Sequence, residues 1–230
     1  MNKKNQIILL AGGVGKRLGK DIPKQFEKLA GKELLLICLE NLLNIPIIDS
    51  IIIVSHKDYI KKTREIVKNN NLKKIKKIIP GGETRQLSSF RGVIQSDIDT
   101  ENILIHDAAR PFASKEMIDR IVEQLEYSEA VCPAIKSVDT LIKVDREVFL
   151  NEILDRDSLK RIQTPQGFKR SLIFKAHKMA IDMNLFDFPD DSSMIKRFNL
   201  SKIKIINGDP ENIKITYDFD LRIAEKILKI

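Results

Sequence analysis

The sequence predicts an α/β fold, a doubly wound and mostly parallel sheet carrying a protruding β-hairpin arm. Three observations lead there. Apolar runs rich in β-branched residues alternate with amphipathic patterns from the first residues onward, as successive βαβ units require. Hydrophobic residues make up 43% of the chain while aromatic ones make up 6%, with no Trp, so the core is aliphatic, as buried parallel strands demand. The 230 residues suffice for one sizeable core, and no repeat or Gly/Ser/Pro-rich linker marks a second, so residues 1–230 read as a single domain.

Taken in order, Gln6–Ala11 is the first strand, broken by Gly12-Gly13. Spaced apolar positions make Lys32–Asn44 a helix, Ser50–Ser55 is a strand, and Lys57–Asn70 is a second helix. The short strand Lys77–Ile79 and the helix Gln86–Ser96 follow, then the strand Asn102–His106. In Lys115–Tyr127, Met117, Ile118, Ile121, Val122 and Leu125 form one helical face behind Ser114 as N-cap. Ala130–Ile135 is a strand, Leu172–Met183 a helix and Lys202–Ile206 a strand. Between them, residues 137–163 carry Val138, Leu141, Ile142 and Val144, then Val148, Leu150, Ile153 and Leu154, around the polar turn Asp145-Arg146-Glu147. That is the pattern of a β-hairpin arm. A hairpin standing off its sheet cannot bury both faces within one subunit, so a second copy is expected to cover it, giving a homodimer.

The composition also excludes. Cys38 and Cys132 stand far apart in apolar runs and read as reduced core residues. His56, His106 and His177 lack ligand spacing, so no protein-built metal site is expected. The opening apolar run, Ile7 to Ala11, is too short for a signal-peptide core or a membrane span, so a cytoplasmic protein without a membrane partner is expected. A net charge of +8 and a pI of 9.3 attract anions. Without an aromatic stacking run or a recognition-helix signature, that charge does not read as a nucleic-acid surface. The lysines of 73–77 read as a solvated face.

In a doubly wound sheet, ligands sit in the loops after the strands. The first such loop, Leu10-Ala11-Gly12-Gly13-Val14-Gly15-Lys16-Arg17-Leu18-Gly19, is followed by Pro23-Lys24-Gln25. Glycines allow several backbone N–H groups to close on an anion. Arg17 and Lys24 add the fixed positive charge that phosphoryl oxygens require, so a triphosphate fits here. A tight strand-to-helix turn with surface basic residues would leave the same pattern. The loop matches neither G-x-x-x-x-G-K-[ST] nor G-x-G-x-x-G.

Four further segments accompany that loop: Gly81-Gly82-Glu83-Thr84-Arg85-Gln86-Leu87-Ser88-Ser89; Ile105-His106-Asp107-Ala108-Ala109-Arg110-Pro111-Phe112; Asp139-Thr140 with Arg156 and Thr164-Pro165-Gln166; and Asn212-Ile213-Lys214-Ile215-Thr216 before a closing helix. Together the five resemble, in order and over nearly the whole chain, the 2-C-methyl-D-erythritol 4-phosphate cytidylyltransferase family of sugar-phosphate nucleotidyltransferases, with the ribitol-5-phosphate cytidylyltransferases as near relatives. The resemblance implies a CTP-dependent transfer of CMP to a polyol phosphate, with magnesium held mainly by the triphosphate. It implies that Arg17, Lys24 and Lys214 are catalytic and that Ala11, Gly12, Gly13, Gly15, Gly82, Arg85, Ser88 and Asp107 hold the nucleotide. It further implies that Asp107, Arg110, Thr140, Arg156 and Thr164 serve the acceptor, with the arm crossing to a neighbouring subunit.

The acceptor stands open. Ala108-Ala109 and Asp139-Thr140 match the methylerythritol enzymes, which makes 2-C-methyl-D-erythritol 4-phosphate the leading acceptor. Ala11-Gly12-Gly13, and Pro189-Asp190-Asp191-Ser192-Ser193 where those enzymes carry Thr-Asp, depart from them, which keeps ribitol 5-phosphate, or another alditol or sugar phosphate of surface polysaccharide, as the alternative. His106 reads as a packed neighbour, because an ionised phosphate nucleophile needs no general base.

Overall fold

The computed structural model describes residues 4–13 and 23–228. Its first half alternates β1 (Lys4–Ala11), the two-residue strands β2 (Lys28–Leu29) and β3 (Lys32–Glu33), α1 (Leu34–Leu43), β4 (Ser50–Ser55), α2 (Ile60–Asn69), β5 (Ile75–Pro80), α3 (Arg85–Ile94) and β6 (Thr100–Asp107). The second half continues with α4 (Lys115–Gln124), β7 (Ala130–Lys136), β8 (Ile142–Val144), β9 (Leu150–Ile153), β10 (Lys160–Ile162) and β11 (Gln166–Lys169). It closes with α5 (Arg170–Asp182), α6 (Asp191–Arg197), β12 (Ile203–Asn207) and α7 (Asp218–Ile227).

β5, β4, β1 and β6 lie side by side and parallel. From β1 the chain builds outward through β4 to β5, then returns to lay β6 on the other side of β1. The carboxyl ends of β1 and β6 therefore flank the switch point where doubly wound sheets take their ligands. Beyond β6, β11 is antiparallel to both β6 and β7, β10 is antiparallel to β7, and β12 is parallel to β7.

Alternation along β1 sorts the core into two layers. Ile7 and Leu9 face one side with Leu35 and Leu39 of α1 and Met117, Ile118 and Ile121 of α4. Ile8 and Leu10 face the other with Val93 of α3, Ile173 and Ala176 of α5, and Met194 and Ile195 of α6. Period-two side chains on a strand with helices on both faces give this result.

The expected elements form, with instructive differences. Lys32 and Glu33, expected in the first helix, pair instead with Leu29 and Lys28 across Ala30 and Gly31, both at positive φ. The predicted arm contains the hairpin β8–β9, in which Ile142 lies opposite Ile153 and Asp145 Oδ1 closes the turn by accepting from the amides of Glu147 and Phe149. The arm's predicted end, however, belongs to the main sheet, where β10 pairs Arg161 with Ile135. Val138, Val148, Phe149 and Ile153 are each more than 60% exposed, so among the described residues of one copy nothing covers this hairpin.

Candidate active site

A cleft of about 330 Å³ opens at the switch point, lined by Gly12 and Gly13 after β1, Lys24 and Gln25, Gly82 to Arg85 and Ser88 at the start of α3, Asp107 to Ala109 after β6, and Lys214. Leu10 also lines it. Local sequence explains the geometry. β1 ends where Gly12-Gly13 releases the strand, and β5 ends at Pro80 before a turn whose residues face the start of α3. A Cβ on Gly82 would come 2.5 Å from Leu87 Cβ, so only glycine lets this turn lie against the helix. Thr84 caps α3 by accepting from the amide of Leu87 at 3.1 Å.

Ser88 Oγ accepts from the amide of Gly82 at 3.0 Å and donates to the Thr84 carbonyl at 3.0 Å. The hydroxyl thus locks the turn onto the helix and keeps one lone pair for a ligand.

Asp107 is the electrostatic centre. Its Oδ1 accepts from Arg85 Nε at 3.1 Å and its Oδ2 from Lys214 Nζ at 2.8 Å. Burial would raise this carboxyl, but Arg85 and then Lys214 outweigh burial and hold it well below the ordinary carboxylate range. Arg85 reaches on to Asp191, which is wholly buried, through Nη1 at 2.7 Å. Asp191 in turn accepts from Ser89 Oγ at 2.5 Å, with His177 Nε2 at 3.4 Å. Burial opposes its charge too, but Arg85, His177 and Ser89 together outweigh that cost and hold it below the ordinary carboxylate range. Two carboxylates thus balance two cations, leaving Lys214 at the cleft side of the array.

Lys24 joins this array from the start of the chain. Its Nζ donates to the Ile215 carbonyl at 2.9 Å across 191 residues of sequence, beside Lys214. The Ile215 amide donates to the Ala109 carbonyl at 2.8 Å, which fastens the Lys214 segment to the end of β6.

The cleft gathers Gly12, Gly13, Lys24, Gly82, Arg85, Ser88, Asp107 and Lys214. Gly15 and Arg17 lie outside the described residues. Ala11 is buried, and its carbonyl accepts from Gln25 Nε2 at 2.7 Å.

Of the residues expected to serve the acceptor, Asp107 lines the cleft, whereas Arg110, Thr140, Arg156 and Thr164 lie outside its lining. Thr164 Oγ1 accepts from the Asp107 amide at 3.1 Å and donates to His106 Nδ1 at 3.0 Å, while His106 Nε2 donates to the Arg110 carbonyl at 2.9 Å. Burial lowers His106 to about 4, so it is neutral and packed. Arg110 Nη1 donates to the Asn212 carbonyl at 2.8 Å. Thr140 and Arg156 sit exposed at the arm, where Arg156 Nη1 donates to the Val138 carbonyl at 3.3 Å.

Sequence reasoning assigned Glu83 only a backbone role in the turn that reads the base, and none to Gln25, which also lines the cleft, or to Asp191, which anchors Arg85. Glu83 and Gln25 lie inside segments already singled out. Asp191 stands 106 residues from Arg85, and no local pattern announces that contact.

Comparison with known proteins fits this geometry. The family model described as IspD, 2-C-methyl-D-erythritol 4-phosphate cytidylyltransferase, matches residues 6–230. A 2-C-methyl-D-erythritol 4-phosphate cytidylyltransferase of Clostridium tetani is 37% identical over 98% of this chain and 91% of its own. The solved 4-diphosphocytidyl-2C-methyl-D-erythritol synthase of Anaerococcus prevotii superposes with a TM-score of 0.87 at 31% identity, covering all of both chains. A bifunctional ribulose 5-phosphate reductase/CDP-ribitol pyrophosphorylase of Haemophilus influenzae is 35% identical over the whole of this chain and 49% of its own.

Proposed function

The chain belongs to the 2-C-methyl-D-erythritol 4-phosphate cytidylyltransferase family, and on that premise we propose that it transfers CMP from CTP to 2-C-methyl-D-erythritol 4-phosphate. A phosphate oxygen of the acceptor attacks the α-phosphorus of CTP in line, the bond to the β-phosphate oxygen breaks, and pyrophosphate leaves. The nucleophile is already ionised near neutral pH, so the protein's work is positioning and charge stabilisation.

The observation that carries this reading is the convergence of Lys24 and Lys214 in one cleft at the switch point. As the two phosphates meet, negative charge gathers on the non-bridging oxygens of the α-phosphoryl group, and two ammonium groups stabilise it. Arg17 is assigned the same task. Gly12 and Gly13 face the triphosphate, the turn at Gly82 reads the cytosine edge, and Ser88 accepts from its amino group. Asp107 has both oxygens paired, and each keeps a lone pair for a ribose or polyol hydroxyl.

Magnesium enters as the metal complex of CTP. Among the described residues no three His, Cys, Asp or Glu side chains cluster to hold a metal, and Glu83 and Asp107 are the carboxylates that line the cleft. Bound to the triphosphate, the ion would supply charge neutralisation for the pyrophosphate leaving group.

The acceptor side is completed by a second copy. Thr140 and Arg156 are carried on the arm into the neighbouring cleft, and Arg110 and Thr164 stabilise the arm's root. The exposed apolar residues of β8 and β9 support this dimer. Ile142→Asp with Ile153→Asp, which places charge on a cross-strand apolar pair, should convert a dimer to a monomer in sedimentation analysis; an unchanged dimer would remove the arm from the interface. Among the described residues no helix is long and apolar enough to cross a membrane, and both cysteines are buried and unbridged. We place the enzyme in the cytoplasm.

Pyrophosphate release tests the reading. CTP with 2-C-methyl-D-erythritol 4-phosphate should support steady turnover, and ATP, GTP and UTP should not. Ribitol 5-phosphate is the rival acceptor, favoured by the Haemophilus relative's name and by Ala11-Gly12-Gly13. Faster release with ribitol 5-phosphate would reassign the acceptor, and no release with either would refute the activity.

A further inference from the structure

We infer that Gln163 is a positioning residue for the reaction, acting through Lys214, on whose catalytic assignment above this inference rests. Gln163 is 3% exposed and lies just past β10. Its backbone amide donates to the Pro133 carbonyl at 2.8 Å, fixing it to the sheet. Its carboxamide clamps the loop that precedes Lys214. Nε2 donates to the Asp209 carbonyl at 2.7 Å and, at 3.4 Å, to the Asn212 carbonyl, while Oε1 accepts from the Asp209 amide at 2.9 Å. The loop lies so close that a Cβ on Gly208 would come 2.4 Å from Gln163 Oε1.

The next residue holds the same loop and the opposite wall. The Thr164 carbonyl accepts from Asn212 Nδ2 at 2.8 Å, and its hydroxyl holds the amide of Asp107. Two consecutive residues thus set the loop that presents Lys214 and the strand end that presents Asp107, the carboxylate against which Lys214 rests. Gln163 lies outside the cleft lining, so its effect on the reaction passes through this loop.

A lysine on a segment without helix or strand has no regular backbone to fix its height over the α-phosphoryl group. A displacement of about an ångström costs on the order of a hundredfold in rate. Gln163 adds a constraint from the sheet ahead of Lys214, as the Ile215–Ala109 bond does behind it.

The test is a double-mutant cycle on kcat, with rates referred to the folded fraction from thermal melts. Gln163→Met keeps the volume and removes both ends of the clamp. It should lower kcat by about ten- to hundredfold with Lys214 present, and by less than about twofold in the Lys214→Ala background. Gly208→Ala displaces the same carboxamide and should reproduce the result, which keeps the cycle informative should Gln163→Met fold poorly. An equal loss in both backgrounds, or no loss in folded protein, overturns the role of Gln163 alone. Normal turnover by Lys214→Ala overturns the catalytic assignment and this inference together.

Discussion

Lys214→Ala, and separately Lys24→Ala, should lower kcat by about two to three orders of magnitude, the cost of removing one preorganised donor from a developing oxyanion. Lys214 is 40% exposed in its side chain and its ammonium rests on Asp107. With Lys214 removed, Asp107 keeps Arg85, so the thermal midpoint should move little. The two losses should not add, because both lysines serve the same phosphoryl group. Steady-state kinetics with saturating CTP and acceptor measures this, and turnover within threefold of the parent in both variants would exclude the lysines from the chemistry.

The largest effect on stability is expected at Asp191. This carboxylate is wholly buried and pairs with the Arg85 guanidinium. Asp191→Ala leaves Arg85 with Asp107 as its one remaining carboxylate and empties a buried site, a loss of up to about 3–5 kcal/mol. That is a large share of the roughly 5–15 kcal/mol that holds a domain folded. The isosteric Asp191→Asn separates charge from volume through pH.

The folded-state carboxyl of Asp191 titrates below its ordinary value of 3.8, so the unfolded chain binds the proton first. The contribution is therefore complete above about pH 4 and is lost as pH falls from there toward the folded value. His106, lowered from 6.5 to about 4, produces a separate loss of stability between those values, common to both proteins. Below pH 4 the parent should lose stability more steeply than Asp191→Asn in urea melts across a pH series. Parallel slopes would mean that the Arg85–Asp191 pair carries no linked proton.

Much of this was legible in the sequence where chemistry sits at strand ends. Gly12-Gly13, Gly81-Gly82-Glu83 and His106-Asp107 each follow or close an apolar run, so the layer fold and the cleft's three walls could be read from local pattern. Lys214 could not be read that way. It stands in a segment without helix or strand, and it reaches the cleft through contacts of Ile215 with Ala109 and Lys24, so only the family likeness pointed to it.

β11 escaped notice because Gln166-Gly167-Phe168-Lys169 is short and contains no β-branched residue, although Phe168 is fully buried between β6 and β7. α6 is brief and follows Pro189, and its first residue, Asp191, acquires meaning only through a side chain far away in sequence. Thr164 was expected at the acceptor, and within one subunit its hydroxyl serves Asp107 and His106. These cases share one cause: each role is set by tertiary hydrogen bonding, which leaves no period in the sequence.

The convergence of Lys24 and Lys214 on a single phosphoryl group is tested most directly by the crystal structure of the CTP complex. The triphosphate should lie against Gly12 and Gly13 with the Nζ atoms of both lysines within about 3.2 Å of α-phosphate oxygens. A triphosphate bound there with either ammonium turned away, or bound outside this cleft, would contradict the account.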